Sequence, residues 1–403
     1  MTDPRIAVVG IGADGWAGLG ETARAAVLAA ERIFGSARQL ALVSDEVTAT
    51  THAWPSPMDP MLDELAAATS GSACVLASGD PMLHGIGATL ARRLGPQRLE
   101  VHPHPSAFAF ACARLGWPAA EVELISTVAR APESVARVLT PGRRAIVYVT
   151  VEGGAAAIAG VLRDRGFGPS RLVVLEQLGG PAEAITDGIA ETWGERAADP
   201  LHTVAIECRP AAGTRSLPRS PGLPDDAYAG DGQLTKRHIR AITLATLAPM
   251  PGQLLWDVGA ASGSIAIEWL RAEPSARAIA IESRPDRAEQ AIANALRLGV
   301  PELEVRAGRA PGALDGLPAP DAVFIGGGLT TPGLVDACWK ALAEGGRIVA
   351  NSVTLEGEHA LAAARAAHGG DLVRIDIAHA EPLGAFTGWC PQRPVVQWTG
   401  AKL

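Results

Sequence analysis

The chain has 403 residues, of which 48% are apolar, and its formal net charge is -8. This length is more than one hydrophobic core comfortably holds, so we expect two domains. The acidic balance argues against general nucleic-acid binding, which requires an excess of basic residues.

The first residues predict no cleavable signal, because Met1 to Arg5 lead directly into an apolar strand at 6–9. No apolar run approaches the length of a membrane span. The five cysteines are scattered, odd in number and without the paired spacing of metal ligands. We therefore expect a cytoplasmic protein with buried thiols, no disulfide and no metal site.

The opening strand runs into a glycine-rich turn, Gly10-Ile11-Gly12-Ala13-Asp14-Gly15. This G-x-G-x-x-G pattern alone is a weak signal for a dinucleotide site, in which the helix would start at once and an acid would close the second strand. Here residues 16–19 intervene before a predicted helix at 21–33. A strand at 75–77 then runs into a second turn, Gly79-Asp80-Pro81, and on to Gly87.

These two turns, together with two later stretches, resemble the tetrapyrrole (corrin and porphyrin) methylase family. The later stretches are Pro105-Ser106 before residues 111–117, and residues 176–179 with Glu183. The resemblance covers about residues 4–212 and implies a fold of two α/β subdomains, with S-adenosylmethionine bound between them. By position it also implies a set of cofactor contacts, made mostly by backbone groups: Gly12, Asp14, Gly79, Asp80, Leu83, Ser106 and Ala107.

One motif of that family departs from the pattern at Thr127 and Val128. Residues 126–130 read Ser-Thr-Val-Ala-Arg where many members carry Ser-x-His-Gly-Arg. The histidine's role in substrate or product handling is therefore not carried over, and Arg130 becomes a candidate catalytic residue. A non-enzymatic tetrapyrrole carrier with an inactive first domain is an alternative.

Residues 211–231 are rich in Pro, Gly, Ser and Asp and show no periodicity. They predict a linker at 213–231 between a first domain at 1–212 and a second at 232–403. After the linker, short apolar strands alternate with alanine-rich helices, which is typical of a parallel, doubly wound Rossmann-like sheet. We predict strands at 254–258, 278–281, 303–306, 322–325, 347–350 and 372–377.

The strongest signal is the strand at 254–258, followed by Gly259-Ala260-Ala261-Ser262-Gly263. Such a turn brings backbone N–H groups and a helix N-terminus against a cofactor, and Glu282 ends the next strand where an acid can bind ribose hydroxyls. Nicotinamide dehydrogenases and class I methyltransferases share this layout. Asp257 favours the methyltransferase, because an acid at this position would repel a pyrophosphate but can face an ammonium group. A nicotinamide-dependent oxidoreductase remains the rival interpretation.

The second half resembles the decarboxylating precorrin methyltransferase domain. The matching stretches are residues 233–237, 257–263, Gly308 with Ala310, and residues 321–328, 351–355 and 381–384. The two resemblances together imply S-adenosylmethionine-dependent methylation of precorrin-6B at bridge carbons 5 and 15, with loss of CO2 from a ring acetate, giving precorrin-8 in aerobic cobalamin biosynthesis. The implied cofactor contacts are Thr235, Asp257, Gly259, Ala260, Ala261, Ser262, Gly263, Glu282 and Ala310. Both families tend to associate, so we expect a homo-oligomer, with neither nucleic acid nor membrane as partner.

Residues 236–240 form the densest basic cluster of this acidic chain. We predict that Lys236, Arg237 and Arg240 hold carboxylates of the macrocycle, since residues one helical turn apart share a face. A solvated helix start is the alternative. His238 is a candidate proton donor, although a lone histidine is more often structural. The turn Gly326-Gly327-Gly328 is either a floor for a flat substrate or a flexible loop.

Overall fold

The structure is a computed structural model that describes residues 5–67, 72–150 and 154–402. The chain divides into two compact units. One comprises Met1–Ala129 and Pro141–Thr214, and the other comprises Arg130–Thr140 and Arg215–Leu403. Within the described ranges, no helix is both long enough and apolar enough to cross a membrane.

The first sheet of the first unit is parallel throughout the described residues. Its strands are β1 (Ile6–Ile11), β2 (Arg32–Gly35), β3 (Thr50–Ala53), β4 (Ala73–Ser78) and β5 (Leu99–His102), in the order β3-β2-β4-β1-β5. The helices that accompany it are α1 (Gly15–Gly18), α2 (Glu21–Leu28), α3 (Ala37–Leu40), α4 (Asp59–Ala67) and α5 (Ile86–Leu94). Ile6 and Val8 belong to one hydrophobic core, whereas Val9 and Ile11 belong to another, so both faces of the sheet are buried.

The second sheet of this unit is mixed. Its strands are β6 (Val122–Ser126), β7 (Arg144–Tyr148), β8 (Arg171–Glu176), β9 (Ala184–Ile189) and β10 (His202–Glu207), in the order β6-β7-β10-β8-β9. Only the pair β6 and β7 is parallel among the described strands of this sheet. Helices α6 (Ala107–Leu115) and α7 (Ala155–Asp164) accompany the sheet. Two sheets with their own helices confirm the predicted pair of α/β subdomains.

The helix predicted at 21–33 is wrong at its C-terminal end. Helix α2 ends at Leu28, and β2 begins at Arg32. Ile33 and Phe34 are fully buried and pair in parallel with Cys74 and Val75 of β4. Residues 32–35 lie in a sheet that is buried on both faces. This burial favours a strand over a continuation of the helix, although the helical periodicity of the sequence extends to residue 33.

The second unit contains the doubly wound sheet. Its strands are β11 (Leu254–Val258), β12 (Arg277–Glu282), β13 (Glu304–Ala307), β14 (Ala322–Ile325), β15 (Arg347–Ser352), β16 (Asp371–Ile375) and, after a hairpin of β17 (Ala378–Leu383) and β18 (Phe386–Pro391), β19 (Val395–Ala401). The helices are α8 (Arg237–Leu247), α9 (Ser264–Ala272), α10 (Pro285–Arg297), α11 (Leu334–Ala341) and α12 (Leu355–His368). The sheet order is β13-β12-β11-β14-β15-β19-β16, and β19 runs antiparallel to both of its neighbours. This architecture confirms the predicted fold class.

The two units differ from the predicted domain limits in two places. Residues 130–140 fold with the second unit, where Arg137 Nη1 lies 3.2 Å from Glu302 Oε1. Most of the predicted linker also packs into the second unit, because Leu223 and Tyr228 are buried in its core. The segment is held by the apolar surface that these two side chains bury and by hydrogen bonds from the Leu223 N–H and the Tyr228 hydroxyl to Glu268.

The thiols are not all buried as predicted. Cys74, Cys112, Cys208 and Cys338 are buried, but Cys390 lies exposed on the hairpin. Burial raises the pKa of Cys74 and of Cys338 to about 12, so these two thiols stay protonated.

Candidate active sites

A cavity of about 870 Å³ opens at the carboxyl ends of the parallel strands in the second unit. Ligands of open α/β sheets bind at this edge, since every loop that follows a parallel strand emerges there. The residues that follow β11, β12, β13, β14 and β15 all line it. Of the predicted site residues, those lining the cavity are Thr235, Lys236, Asp257, Gly259, Ala260, Ala261, Glu282, Ala310, Gly326, Gly327 and Gly328.

The loop after β11 requires left-handed backbone at alternate residues. Gly259, Ala261 and Gly263 have φ values of 74°, 48° and 76°. A Cβ on Gly259 would lie 2.8 Å from the backbone nitrogen of Gly327, so only glycine lets the two loops meet. Ala261 adopts the same conformation with a methyl group, which costs about 1 kcal/mol or more. Ser262 and Gly263 do not line the cavity; Gly263 is instead the N-cap of α9.

Glu282 ends β12 with its carboxylate anchored by the backbone. Its Oε2 accepts a hydrogen bond from the Ala261 N–H at 2.8 Å, and its Oε1 accepts one from the Arg284 N–H at 2.9 Å. Because each carboxylate oxygen has two lone pairs, both oxygens can accept more than one hydrogen bond. The buried carboxylate at the cavity wall therefore suits a pair of ribose hydroxyls.

Asp257 carries a buried acceptor without a partner among the described residues. Its Oδ2 accepts a hydrogen bond from the Ala266 N–H at 3.0 Å, whereas its Oδ1 has no hydrogen-bond partner. Burial, with a contribution from the charge of Glu282, raises the pKa of Asp257 to about 7. A ligand ammonium group would satisfy this oxygen and restore the charged form. Residues of this cavity thus fit S-adenosylmethionine, which carries both an ammonium group and a ribose.

The prediction that Arg240 binds substrate is wrong. Its side chain is 0% exposed and forms an ion pair with Glu268, with Nε 2.6 Å from Oε1. Its Nη1 lies 3.1 Å from Asp225 Oδ1, and further hydrogen bonds reach the carbonyls of Leu223 and Thr235. Arg240 belongs to the buried face of α8, and Glu268 provides the charge partner that permits its burial.

The other members of the basic cluster lie nearer to solvent. Lys236 lines the cavity, whereas Arg237 is exposed, does not line it and donates from Nε to the Gly222 carbonyl at 2.9 Å. His238 is also exposed and outside the cavity lining, with its ring 5.5 Å from that of His379. Arg130 is exposed and lines neither cavity described here.

Sequence reasoning missed several polar residues of this cavity. Arg309 and Arg393 line it with exposed side chains, and Asn351 lines it at the end of β15. Asn351 lies in one of the stretches that match the precorrin methyltransferase domain, and Arg309 lies between the matching residues Gly308 and Ala310. Their positions at or just after the end of a strand could have indicated that they line the cavity. Arg393 follows the unpredicted hairpin and gave no such signal.

A smaller cavity of about 260 Å³ lies in the first unit. The predicted contacts Gly12, Gly79, Asp80, Leu83, Ser106 and Ala107 all line it. The two glycine loops pack closely, because a Cβ on Gly10 would lie 2.2 Å from the Gly79 carbonyl oxygen. Asp14 does not line the cavity; its Oδ2 lies 3.2 Å from Nε2 of the buried His104. Asp14 therefore supports the loop from behind.

The same cavity includes residues that the sequence did not indicate. Tyr148 lines it, and its hydroxyl accepts a hydrogen bond from the Phe108 N–H at 3.0 Å, while burial raises the pKa of this hydroxyl. Val128, at the position of the family's histidine, also lines it. The next residue, Ala129, has a φ of 57°, a left-handed conformation that glycine adopts without strain and alanine does not.

Two family models match the two halves of the chain separately, and curated relatives match nearly all of it. The family model "Tetrapyrrole (Corrin/Porphyrin) Methylases" matches residues 5–192, and "Precorrin methyltransferase domain" matches residues 226–402. Precorrin-6Y C(5,15)-methyltransferase (decarboxylating) of Sinorhizobium sp is 44% identical over 100% of this chain and 97% of its own length. The protein of that name from Mycobacterium tuberculosis (strain CDC 1551 / Oshkosh) is 47% identical over 98% of this chain and 100% of its own. The crystal structure of the C-terminal domain of precorrin-6Y C5,15-methyltransferase from Rhodobacter capsulatus is 52% identical, with a TM-score of 0.44, and covers 46% of this chain and 100% of that chain.

Proposed function

The chain belongs to the family of decarboxylating precorrin-6Y C(5,15)-methyltransferases, and we propose that it methylates precorrin-6Y at bridge carbons 5 and 15 and releases one acetate carboxyl group as CO2. The resemblances in the sequence imply precorrin-6B as the substrate, whereas the names of the relatives give precorrin-6Y, and the product that we propose is precorrin-8 of cobalamin biosynthesis. The cofactor is S-adenosylmethionine. The observation that carries the proposal is the presence of a separate glycine-lined cavity in each unit.

We propose that the two domains carry out different steps: the tetrapyrrole methylase domain, predicted at 1–212, and the decarboxylating methyltransferase domain, predicted at 232–403. The first domain methylates carbon 5, and the second removes CO2 and methylates carbon 15. Packing of Arg130–Thr140 and of most of the predicted linker into the second unit means that residues 232–403 alone lack part of that unit's core. The division is therefore best tested in the full chain.

The main requirement of the reaction is that the protein align the cofactor with the substrate carbon. Bound S-adenosylmethionine supplies an electrophilic methyl group, and the bridge carbons of a reduced tetrapyrrole are already nucleophilic. Asp257 and Glu282 orient the cofactor from two points, and the glycine loops allow its close approach. Residues that hold the cofactor and the substrate together would convert a bimolecular step into an effectively unimolecular one.

The substrate's carboxylates need cationic partners at the second cavity. Lys236 of the predicted cluster lines this cavity, and we add Arg393 in place of the buried Arg240. No salt bridge or side-chain hydrogen bond to another described residue occupies the guanidinium of Arg393. Gly326, Gly327 and Gly328 form part of the same wall, where the lack of side chains suits a flat ring.

The exposed hairpin supports the expected homo-oligomer. Leu383 on β17 and Phe386 and Trp389 on β18 are 68%, 80% and 77% exposed. Leu383 and Phe386 are direct partners across the hairpin, and exposed large apolar side chains of this kind are typical of an interaction surface. We propose that copies of the chain associate through it in the cytoplasm, and light scattering of Trp389→Lys should show a smaller species than the wild type. Nucleic acid and membrane have no part in this proposal.

The division of labour is tested by counting methyl groups on the tetrapyrrole product. We expect two methyl groups and loss of CO2 for the wild type, measured by mass spectrometry. Gly79→Val places a side chain 3.2 Å from Ser106 Cα at a φ of 60°, so it should block the first site and leave one methyl group with loss of CO2. Asp257→Asn should instead lose the methyl group on carbon 15. Two methyl groups from Gly79→Val would contradict the assignment.

A further inference from the structure

Asn351 occupies a distinct part of the cavity in the second unit. Glu282 ends β12 and Ala310 follows β13, and both strands lie on one side of β11 in the sheet. Gly326 follows β14, and Asn351 stands near the end of β15, on the other side of β11. Since the ribose is assigned to Glu282, Asn351 lies on the side left for the macrocycle. This inference rests on the proposed function.

The amide of Asn351 is held by two buried polar side chains. Its Oδ1 accepts a hydrogen bond from Gln397 Nε2 at 2.9 Å, and its Nδ2 donates to Thr243 Oγ1 at 2.9 Å. Gln397 Nε2 also donates to Thr243 Oγ1, at 3.1 Å. Thr243 is 0% exposed and Gln397 is 4% exposed. In this arrangement the Asn351 oxygen faces Gln397 and its nitrogen faces Thr243.

Burying polar side chains costs more free energy than filling the same space with apolar ones, so we do not expect this network in a purely structural element. Buried amides and hydroxyls must be paired, and apolar side chains of similar size would fill the same space without that demand. Residues 351 and 397 are also direct partners across β15 and β19, so their alignment is built into the sheet. One hydrogen of Asn351 Nδ2 is committed to Thr243, and no acceptor among the described residues takes the second. Asn351 lines the cavity, and this second N–H is the one we assign to a ligand.

We propose that Asn351 donates this N–H to the substrate acetate carboxylate that leaves as CO2, and that Gln397 and Thr243 are positioning residues. In that step the bond between the acetate methylene and its carboxyl carbon breaks. Its electron pair passes into the conjugated macrocycle, CO2 departs, and the methylene takes a proton from solvent to become a methyl group. No oxidant or reductant is required.

A neutral donor suits this step better than a cation. An ammonium or guanidinium group beside the leaving carboxylate stabilises the ground state, which raises the barrier to losing the charge as CO2. An amide N–H still orients the carboxylate, but it stabilises the charge less. Neutral Asn351 is followed by Ser352, Val353 and Thr354, which also line the cavity and carry no charge. The cations Lys236 and Arg393 are then left for carboxylates that do not react.

The test measures CO2 release from precorrin-6Y by the full-length enzyme in single turnover, with affinity for S-adenosylhomocysteine measured by calorimetry. Asn351→Leu removes the donor at similar size and should slow CO2 release about tenfold or more, because the acetate carboxylate loses the contact that orients it. Asn351→Asp should slow it further, because repulsion between the two carboxylates moves the substrate acetate out of position. Both variants should keep their cofactor affinity within about twofold, since Asn351 lies away from Glu282.

The positioning residues are tested by a rescue. Gln397→Met and Thr243→Val should lower kcat for CO2 release about three- to tenfold with a smaller change in KM, while Thr243→Ser keeps the hydroxyl and should restore the wild-type rate. Thr399→Val, two residues further along β19, is the matched control and should change nothing. The inference is overturned if Asn351→Leu and Asn351→Asp both release CO2 within twofold of wild type, or if cofactor affinity falls as much as the rate. If the wild type itself releases no CO2, the proposed function fails first.

Discussion

The carboxyl group of Asp257 should make cofactor affinity of the second unit depend on pH near neutrality. Its Oδ1 is buried without a hydrogen-bond partner among the described residues, and Glu282 lies close enough to add an unfavourable charge. Burial first, and Glu282 second, raise the pKa of Asp257 to about 7. A ligand ammonium group binds the ionised form, so protonation competes with the cofactor.

The size of the effect follows from that pKa. At pH 6 about one molecule in ten carries the ionised carboxyl group, and at pH 8 about nine in ten do. Affinity falls in proportion to the binding-competent fraction. S-adenosylhomocysteine should therefore bind the second unit roughly tenfold more weakly at pH 6 than at pH 8.

The same pKa has a consequence for stability with the opposite sign. The folded-state pKa of Asp257 lies above its ordinary value of 3.8, so between these two pH values the folded protein holds a proton that the unfolded chain has released. Stability of the ligand-free protein should thus fall as pH rises from about 4 to 7, by on the order of 4 kcal/mol. Asp257→Asn removes this loss, so the ligand-free variant should be more stable than wild type at pH 8 and similar to it at pH 3.5.

Calorimetric titrations of the full chain between pH 6 and pH 8.5 measure the affinity, and thermal unfolding without ligand measures the stability. In Asp257→Asn the pH-dependent binding component should disappear, while binding to the first unit is retained as an internal control. Wild-type affinity that stays flat over this range, or an Asn variant with an unchanged pH profile, would refute the assignment of the ammonium group to Asp257.

Three further changes test other parts of the structure. Ala261→Gly should raise the stability of the second unit by up to about 1 kcal/mol in urea unfolding, because glycine relieves left-handed strain; a lower midpoint would show that the methyl group packs usefully. Arg240→Met should lower stability by about 3–5 kcal/mol by leaving Glu268 buried with its charge uncompensated, and KM for substrate should stay near wild type. Lys236→Gln with Arg393→Gln should raise KM about tenfold or more at low salt and less at high salt, and an unchanged KM would place the anchors elsewhere.

The proposed cofactor site of the second unit could be predicted from the sequence, because the signals on which it rests are local. A buried strand, an acid and a turn with glycine spacing lie within residues 254–263, and such a turn has few backbone solutions. The strand Leu254–Val258 has the predicted limits, and Glu282 ends β12 as its position implied. Strand alternation likewise predicts the doubly wound sheet, because crossover connections constrain the topology strongly.

The burial and orientation of charged and polar side chains depend on partners that lie far away in the sequence. Arg240 looked like a surface cation beside Arg237, but Glu268 and Asp225 fold around it and bury it. Asn351 acquires its fixed orientation from Gln397, 46 residues later, through a strand pair that periodicity could not reveal. Residues 130–140 join the second unit through contacts such as Arg137 with Glu302.

Backbone conformation depends largely on residues that are neighbours in the sequence. For that reason local patterns predict the turns, strands and fold class of this protein. Whether a charge meets water, a substrate or a buried counter-charge is set by which surfaces the fold brings together. Burial changes the free energy of a charge by several kcal/mol. Only the tertiary structure decides whether a buried charge has a partner of opposite charge that offsets this cost. Arg240 became structural and Arg393 a substrate candidate for this reason.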